Sequence, residues 1–266
     1  MKLRGGQCLC LLWATAGSLY AQFASPIHVH PTGPWTEIEE RNRLYENGVE
    51  KADLDRAEKN VEWARQYLGK TWRNILVVRG RDYKQPGVID GARAAFTDIP
   101  WSCDNGTVEQ FDNAAYCAKD NVISYDGFFL AGLAKMIGAQ THSPGDFAAI
   151  LAIAHEHGHA LQHQLGITST FSFENEQNAD CFAGATAGQM QSDRVLKPND
   201  IAEAKAALTL LADPERLYNP FLHGPYVDLI GHGDWHQRTA AFDLGYEHGP
   251  EGCAPALKSP PGRRRP

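Results

Sequence analysis

Apolar residues recur along most of this chain at helical rather than strand spacing. Leu54, Ala57, Val61, Ala64 and Leu68 return every three or four positions, which lays them on one face of a helix. Upstream, Thr36 and Glu39 have capping-box spacing and open a helical stretch that Gly48 interrupts. Asn74–Val78 is a short β-branched run and reads as a strand, and Asn121–Tyr125 reads as another. Gly87–Asn113 is loop-rich, and helical structure resumes over Gly127–Met136. The densest apolar run, Phe147, Ile150, Leu151, Ile153 and Ala154, lies in a helix predicted over 146–165 that is expected to be buried. A turn-rich gap, Gly166–Ser172, leads to a helix over about 173–190. Pro198-Asn199-Asp200 starts a further helix that stops before Pro214. After a loop rich in Gly, His and Pro, Asp234 and Gln237 form a cap for a last helix reaching about Tyr246. With no internal repeat and no domain-scale linker, the expected fold is α+β and mainly helical, one domain with a small sheet before its central helix.

Composition agrees with a folded chain. It has 266 residues, 43% of them hydrophobic and 21% charged, enough for a sizeable core. A net charge of -7 argues against nucleic acid as a main partner, since phosphate binding needs clustered Lys and Arg. The only basic run, Arg263-Arg264-Arg265, sits among Pro260, Pro261 and Pro266, and 254–266 reads as a solvated, disordered tail.

At the other end, Lys2 and Arg4 precede an apolar stretch from Cys8 to Tyr20 and small residues at Ala21 and Ala24, the pattern of a cleaved signal peptide over 1–24. A buried N-terminal helix is the alternative. The stretch is shorter than the roughly 20 residues a bilayer span requires, so no stable membrane insertion of the mature chain is expected. Residues 25–48 then form an N-terminal linker segment and 49–253 the main domain. Cleavage would remove Cys8 and Cys10 and leave Cys103, Cys117, Cys181 and Cys253, an even number suited to an oxidising, secreted or periplasmic setting. Three pairings are possible. In one of them Cys103–Cys117 closes a short loop and Cys181–Cys253 ties the C-terminal region to the core.

The strongest chemical signal lies in the central helix, where residues 155–159 read His-Glu-His-Gly-His and satisfy HExxH. Two histidines four apart share a helix face, so His155 and His159 can reach one zinc ion. Glu156 sits beside the metal, placed to take a proton from the attacking water and pass it to the leaving amine. Solvated or hydrogen-bonded core histidines would be the alternative. A His159/His163 pair has the same spacing but no glutamate directly after its first histidine, and His157 points off that face, so neither His157 nor His163 is read as a ligand. The next helix offers Glu174, Glu176 and Asp180 as a third ligand. Glu176 is preferred because Asp180, one turn on, can accept the free ring N–H of a zinc histidine and orient it. Glu174 belongs to the first turn, where the helix dipole favours it. Ala179, Ala183, Gly184 and Ala187 keep this helix slim enough to pack closely on the zinc helix.

These residues carry a family resemblance. Ala154-His155-Glu156-His157-Gly158-His159 and Glu176-Gln177-Asn178-Ala179-Asp180-Cys181-Phe182-Ala183-Gly184 closely resemble the two signature segments of the bacterial neutral zinc metallopeptidases. Tyr116-Cys117, Val122 to Asp126, Gly145 to Ala148, Gly231-His232-Gly233, Gln237-Arg238 and Phe242 to Gly249 are similar to further segments, so the likeness spans roughly residues 60–253. It departs at Ala160, where the family usually has another His, and over 93–113. The resemblance implies a zincin-like fold, one zinc ion with glutamate as third ligand, and a peptide or protein substrate. It also favours His232 as a catalytic group that stabilises the oxyanion, against a role in packing its loop. Arg238 and Tyr246 are weaker candidates for the same task. An extended substrate is expected to pair with a strand near Asn121–Tyr125. Two rival functions remain: a zinc-stabilised, non-catalytic binding protein, and a zinc hydrolase of a non-peptide cell-wall amide.

Overall fold

In the computed structural model, which describes residues 36–94, 103, 111–213 and 231–257, the apolar stripe that begins at Leu54 runs on through Trp72 and Leu76. The product is a long helix, Lys51–Val77 (α2), preceded by Glu37–Glu46 (α1), whose N-cap is Thr36. The strand expected at Asn74–Val78 is therefore helix. Leu76 completes the buried face, while Val77 is 60% exposed on the other side. Burial along a continuous stripe outweighs the weak preference of β-branched residues for strands.

Three short strands follow: Gly87–Asp90 (β1), Ala114–Cys117 (β2) and Val122–Tyr125 (β3), with a single helical turn, Gly91–Ala94 (α3), after β1. Two of them lie where the sequence suggested loop or nothing definite. Their order in the sheet is β1-β3-β2, with β1 parallel to β3 and β2 antiparallel to it. β3 is thus the central strand and has no free edge for a peptide. That overturns the expected pairing at Asn121–Tyr125; β1 and β2 are the outer strands among the described residues.

Helices Gly127–Thr141 (α4), Asp146–Leu165 (α5), Ser172–Ser192 (α6), Asp200–Leu210 (α7) and Trp235–His248 (α8) build the core. α5 lies at its centre: from Phe147 to Gln162 every residue except Ala152 and His159 is buried. Its N-terminal main-chain N–H groups are buried too, and no neighbouring side chain caps them. Glu203 of α7 does so from a distance, accepting from Gly145 N at 3.0 Å and Phe147 N at 2.8 Å. α2 crosses α6 where the Trp72 indole donates to Thr186 Oγ1 at 3.0 Å, both groups buried.

The slim face of α6 serves two neighbours. Ala179 lies against α5, whereas Gly184 lies against α8, where an added methyl would come within 1.9 Å of Phe242 O. Two disulfides close the structure, Cys103–Cys117 at the end of β2 and Cys181–Cys253 between α6 and a short turn, Pro250–Cys253 (α9). Order continues past Cys253: Pro255–Leu257 form a 3-10 turn, Leu257 is buried, and its carbonyl accepts from Arg79 Nε at 3.0 Å. Residues 1–24, expected from the sequence to be a signal peptide, and the tail from 258 to 266 lie outside the described residues. Among the described residues no helix is long and apolar enough to cross a membrane.

Candidate metal centre

His155 and His159 stand one turn apart on α5, their rings 4.9 Å apart and nearly perpendicular. Glu176, in the second turn of α6, brings its Oε2 to 3.0 Å from His155 Nε2 and 3.4 Å from His159 Nε2. Ligands on a tetrahedral ion with bonds of about 2.0–2.1 Å are separated by about 3.3 Å, so both distances to Glu176 Oε2 are those of zinc ligands. The donor set, two imidazoles and a carboxylate, is also one that zinc favours. The three residues therefore fit the ion, and among the described residues the potential metal-binding groups are His155, Glu156 and His159, and His155, Glu176 and His232.

The close approach depends on Gly158, between the two histidines. A methyl there would lie 2.9 Å from both Cα and O of Ala179, so only glycine lets α6 come near enough to deliver Glu176. Behind the site, Asp180 is fully buried and its Oδ1 accepts from His155 Nδ1 at 2.7 Å, which directs Nε2 toward Glu176. Asp180 is thus the hydrogen-bond partner of the first histidine. The second histidine has a different one: His159 Nδ1 lies 3.1 Å from Gln162 Oε1, and Gln162 donates through Nε2 to the carbonyl of Asn175, next to Glu176. Gln162 was missed in the sequence although it stands one helical turn from His159. An amide partner there stands out less than a carboxylate.

Glu156 is buried beside the two histidines, with Oε1 4.0 Å from His155 Nε2. Burial pushes its carboxyl above the usual range, and the nearby His155 and His159, with a smaller part from a main-chain hydrogen bond of Tyr116 in β2, partly offset that. Burial also disfavours charge on His155, yet Asp180, Glu176 and Glu156 together raise it to about 10. Burial likewise works against the Glu176 carboxylate, but its hydrogen bonds from His155 and His159 hold it well below the ordinary carboxylate range. His155 and His159 thus both face carboxylates, the chemistry of a donor set that can hold a cation.

His232 reaches the same centre from the loop before α8. Its Nε2 is 3.4 Å from Glu176 Oε2, and its ring lies 6.3 Å from that of His155. The loop bends at Gly231 (φ 94°) and Gly233 (φ 93°), and Gln177 holds the His232 carbonyl at 2.7 Å. Arg238 does not face the centre as an oxyanion group would. It lies behind Asp180 and donates to both of its oxygens, at 2.8 and 2.9 Å.

His157 turns to the opposite side of α5, where it is buried beside Trp72 and its Nε2 lies 2.8 Å from the Tyr83 hydroxyl. His163 is exposed on the cleft wall, its ring 6.3 Å from that of Tyr116. Neither joins the convergent set. Glu174 accepts from the Ser169 hydroxyl at 2.5 Å, in the first turn of α6. In front of the centre is an open cleft of about 420 Å3, lined by Glu156, His159, Glu176 and His232 together with the β2 edge and Ser172 and Asn175 of α6.

Similarity to other proteins agrees with this geometry. The chain is 30% identical to the Escherichia coli K-12 protein YpfJ over 194 residues, which is 67% of this chain and 64% of that protein. It is 29% identical to the Mycobacterium tuberculosis H37Rv protein Rv2575 over 154 residues, 50% of this chain and 51% of that one. The chain thus spans between half and two thirds of the length of these relatives. No solved structure matches it. The family described as "putative neutral zinc metallopeptidase" matches residues 32–255, the stretch that contains every residue of the metal centre, and the chain belongs to that family.

Proposed function

We propose that this chain is an exported zinc-dependent peptidase, with His155, His159 and Glu176 holding one zinc ion and Glu156 acting as general base and then general acid. The observation that carries the reading is the convergence of both imidazole Nε2 atoms on one oxygen of Glu176, with Glu156 alongside in an open cleft. When bound, zinc would polarise the scissile carbonyl and activate water. Glu156, whose burial favours proton uptake, takes the proton of the attacking water and gives it to the leaving amine. Asp180 keeps the His155 ring in one orientation throughout. His232, on its glycine-flanked loop, can donate from Nε2 to negative charge that develops on the substrate oxygen.

The substrate is an extended peptide lying along β2. Asn113 O accepts from Asp126 N at 2.9 Å, so the main chain of alternate residues from Asn113 faces β3 and that of Ala114 and Tyr116 faces outward. Glu156 takes the Tyr116 N–H. Among the described residues the N–H and C=O of Ala114 and the C=O of Tyr116 face away from β3, as a peptide backbone pairing there requires. Export, to the periplasm or the medium, is supported by the two disulfides, which persist in an oxidising compartment.

The test is hydrolysis of a peptide pool by the zinc-loaded protein beside its Glu156→Gln variant, with zinc content measured in both. Equal zinc and a loss of rate of at least about a hundredfold in the variant is the expected result, the scale of a general base. Cleavage of a cell-wall amide but no peptide by the parent would change the substrate class. Equal cleavage by both proteins would remove Glu156 from the mechanism.

A further inference from the structure

Asp180 carries a charge at a position with no exposure to solvent, and its two oxygens are shared unevenly. Oδ1 accepts from His155 Nδ1 at 2.7 Å and from Arg238 Nη2 at 2.9 Å, while Oδ2 accepts from Arg238 Nε at 2.8 Å. Arg238 is itself buried, and its third nitrogen, Nη1, donates to Leu211 O at 2.9 Å. The guanidinium is therefore held at three points, and its planar fork fixes the plane of the Asp180 carboxylate. That plane in turn sets the direction in which Oδ1 meets the His155 ring.

The placement has a second consequence. Arg238 lies in the first turn or so of α8, the helix entered directly from the Gly231–Gly233 loop that presents His232. That loop is itself pinned to the residue two beyond Leu211: Gly233 N donates to Asp213 Oδ2 at 2.9 Å, and Asp213 N donates to Gly233 O at 2.9 Å. One side chain thus ties the ligand helix α6, the end of α7 and the start of α8 behind a single histidine.

Resting on the zinc reading above, we propose that Arg238 is a positioning residue for the metal: acting through Asp180, it holds His155 in its ligating orientation. A merely structural ion pair would neutralise Asp180 and do no more. The two roles separate when the fork is lost and the charge kept, as in Arg238→Lys, because an ammonium is a point donor that compensates the buried charge without fixing the carboxylate plane.

The experiment measures zinc affinity of the full chain by competition with a chromophoric chelator. It adds the visible spectrum of the cobalt-substituted protein and the thermal midpoint of the metal-free protein. Arg238→Lys is expected to stay folded yet bind zinc about 10–100-fold more weakly, the usual effect of losing a group that orients a metal ligand, with shifted cobalt bands. A cycle of Arg238→Gln, Asp180→Asn and the double variant covers the case in which the lysine variant does not fold. Asp180→Asn with Arg238→Gln removes both charges together, and if Arg238 acts through Asp180 the double variant binds zinc no more weakly than Asp180→Asn alone. Zinc affinity within twofold of the parent in Arg238→Lys, or losses that multiply in the double variant, would overturn the proposal. A parent that binds neither zinc nor cobalt would instead defeat the zinc reading itself, and with it this inference. A parent that binds zinc normally but cleaves no peptide leaves the test of Arg238 fully readable.

Discussion

At Gly158 a single hydrogen atom decides how near the two ligand-bearing helices can lie. In an exposed helix, alanine for glycine would stabilise by about 1 kcal/mol. Here the added methyl meets the main chain of Ala179 at 2.9 Å, and two helix backbones cannot yield as a flexible side chain does. Overpacking of this kind costs about 1–3 kcal/mol. Gly158→Ala is therefore expected to be destabilised by up to about 2 kcal/mol despite its better helix propensity. It should lose zinc affinity as well, because α6 carries both Glu176 and Asp180. Calorimetric zinc titration and thermal melts of the metal-free protein check the two halves, and a stabilised variant with parental affinity would contradict both. His157, one residue away, shows how burial sorts neighbouring histidines. It faces Trp72 and Tyr83 on the far side of α5, where burial holds its ring neutral, its pKa lowered to about 3, while His155 and His159 face carboxylates.

Among the elements, α5 depends on a partner distant in sequence. Gly145 precedes it in a left-handed conformation (φ 74°), so no local side chain caps the first turn. The Glu203 carboxylate, almost fully buried on α7, supplies the acceptor for two main-chain N–H groups instead. Truncating it would leave buried donors without partners, at about 1–3 kcal/mol. Glu203→Ala is expected to lower the unfolding free energy by about 2 kcal/mol in urea denaturation, with Glu203→Gln losing less because its amide oxygen still accepts. A Glu203→Ala midpoint equal to the parent's would show that the cap contributes nothing. Elements also settle where a substrate can pair. β3 looked like a docking strand because its β-branched run was the clearest in that region. Its neighbours β1 and β2 consume both edges, and of the two outer strands it is the less conspicuous Ala114-Ala115-Tyr116 that lines the cleft.

For the molecule as a whole, the Cys181–Cys253 disulfide closes a loop of 72 residues that contains α7, α8 and the His232 loop. On a chain-entropy account a loop of that length contributes about 4 kcal/mol. Replacing both cysteines by alanine is expected to lower stability by about that amount. Zinc affinity should fall less than in the Asp180 or Arg238 variants, since no ligand or orienting group is removed. Denaturation of the metal-free forms beside zinc titration measures this, and an unchanged midpoint would mean that packing of Gly184 and Gly245 between α6 and α8 already holds the loop. Much of the helical order was legible beforehand. The buried stripe of α2, the limits of α5 and the caps at Thr36 and Asp234 all follow from spacing within a few residues. The end of α2 was misread because Ile75, Val77 and Val78 suggest strand locally, while Trp72 and Leu76 are committed to a core face that only packing reveals.

The sequence by itself determined what one helix can present. Two histidines four residues apart face the same way, a glutamate directly after the first lies beside them, and Glu176 and Asp180 stand one turn apart on the next helix. These relations follow from the 3.6-residue period and need no other part of the chain. Tertiary structure decided which groups meet from different elements. It alone brought Glu176 to both histidines, placed Arg238 behind Asp180 and Glu203 at the start of α5, and set β2 along the cleft. Those contacts depend on the distance and angle at which helices pack, and close approach at Gly158 sets them as much as any functional residue does.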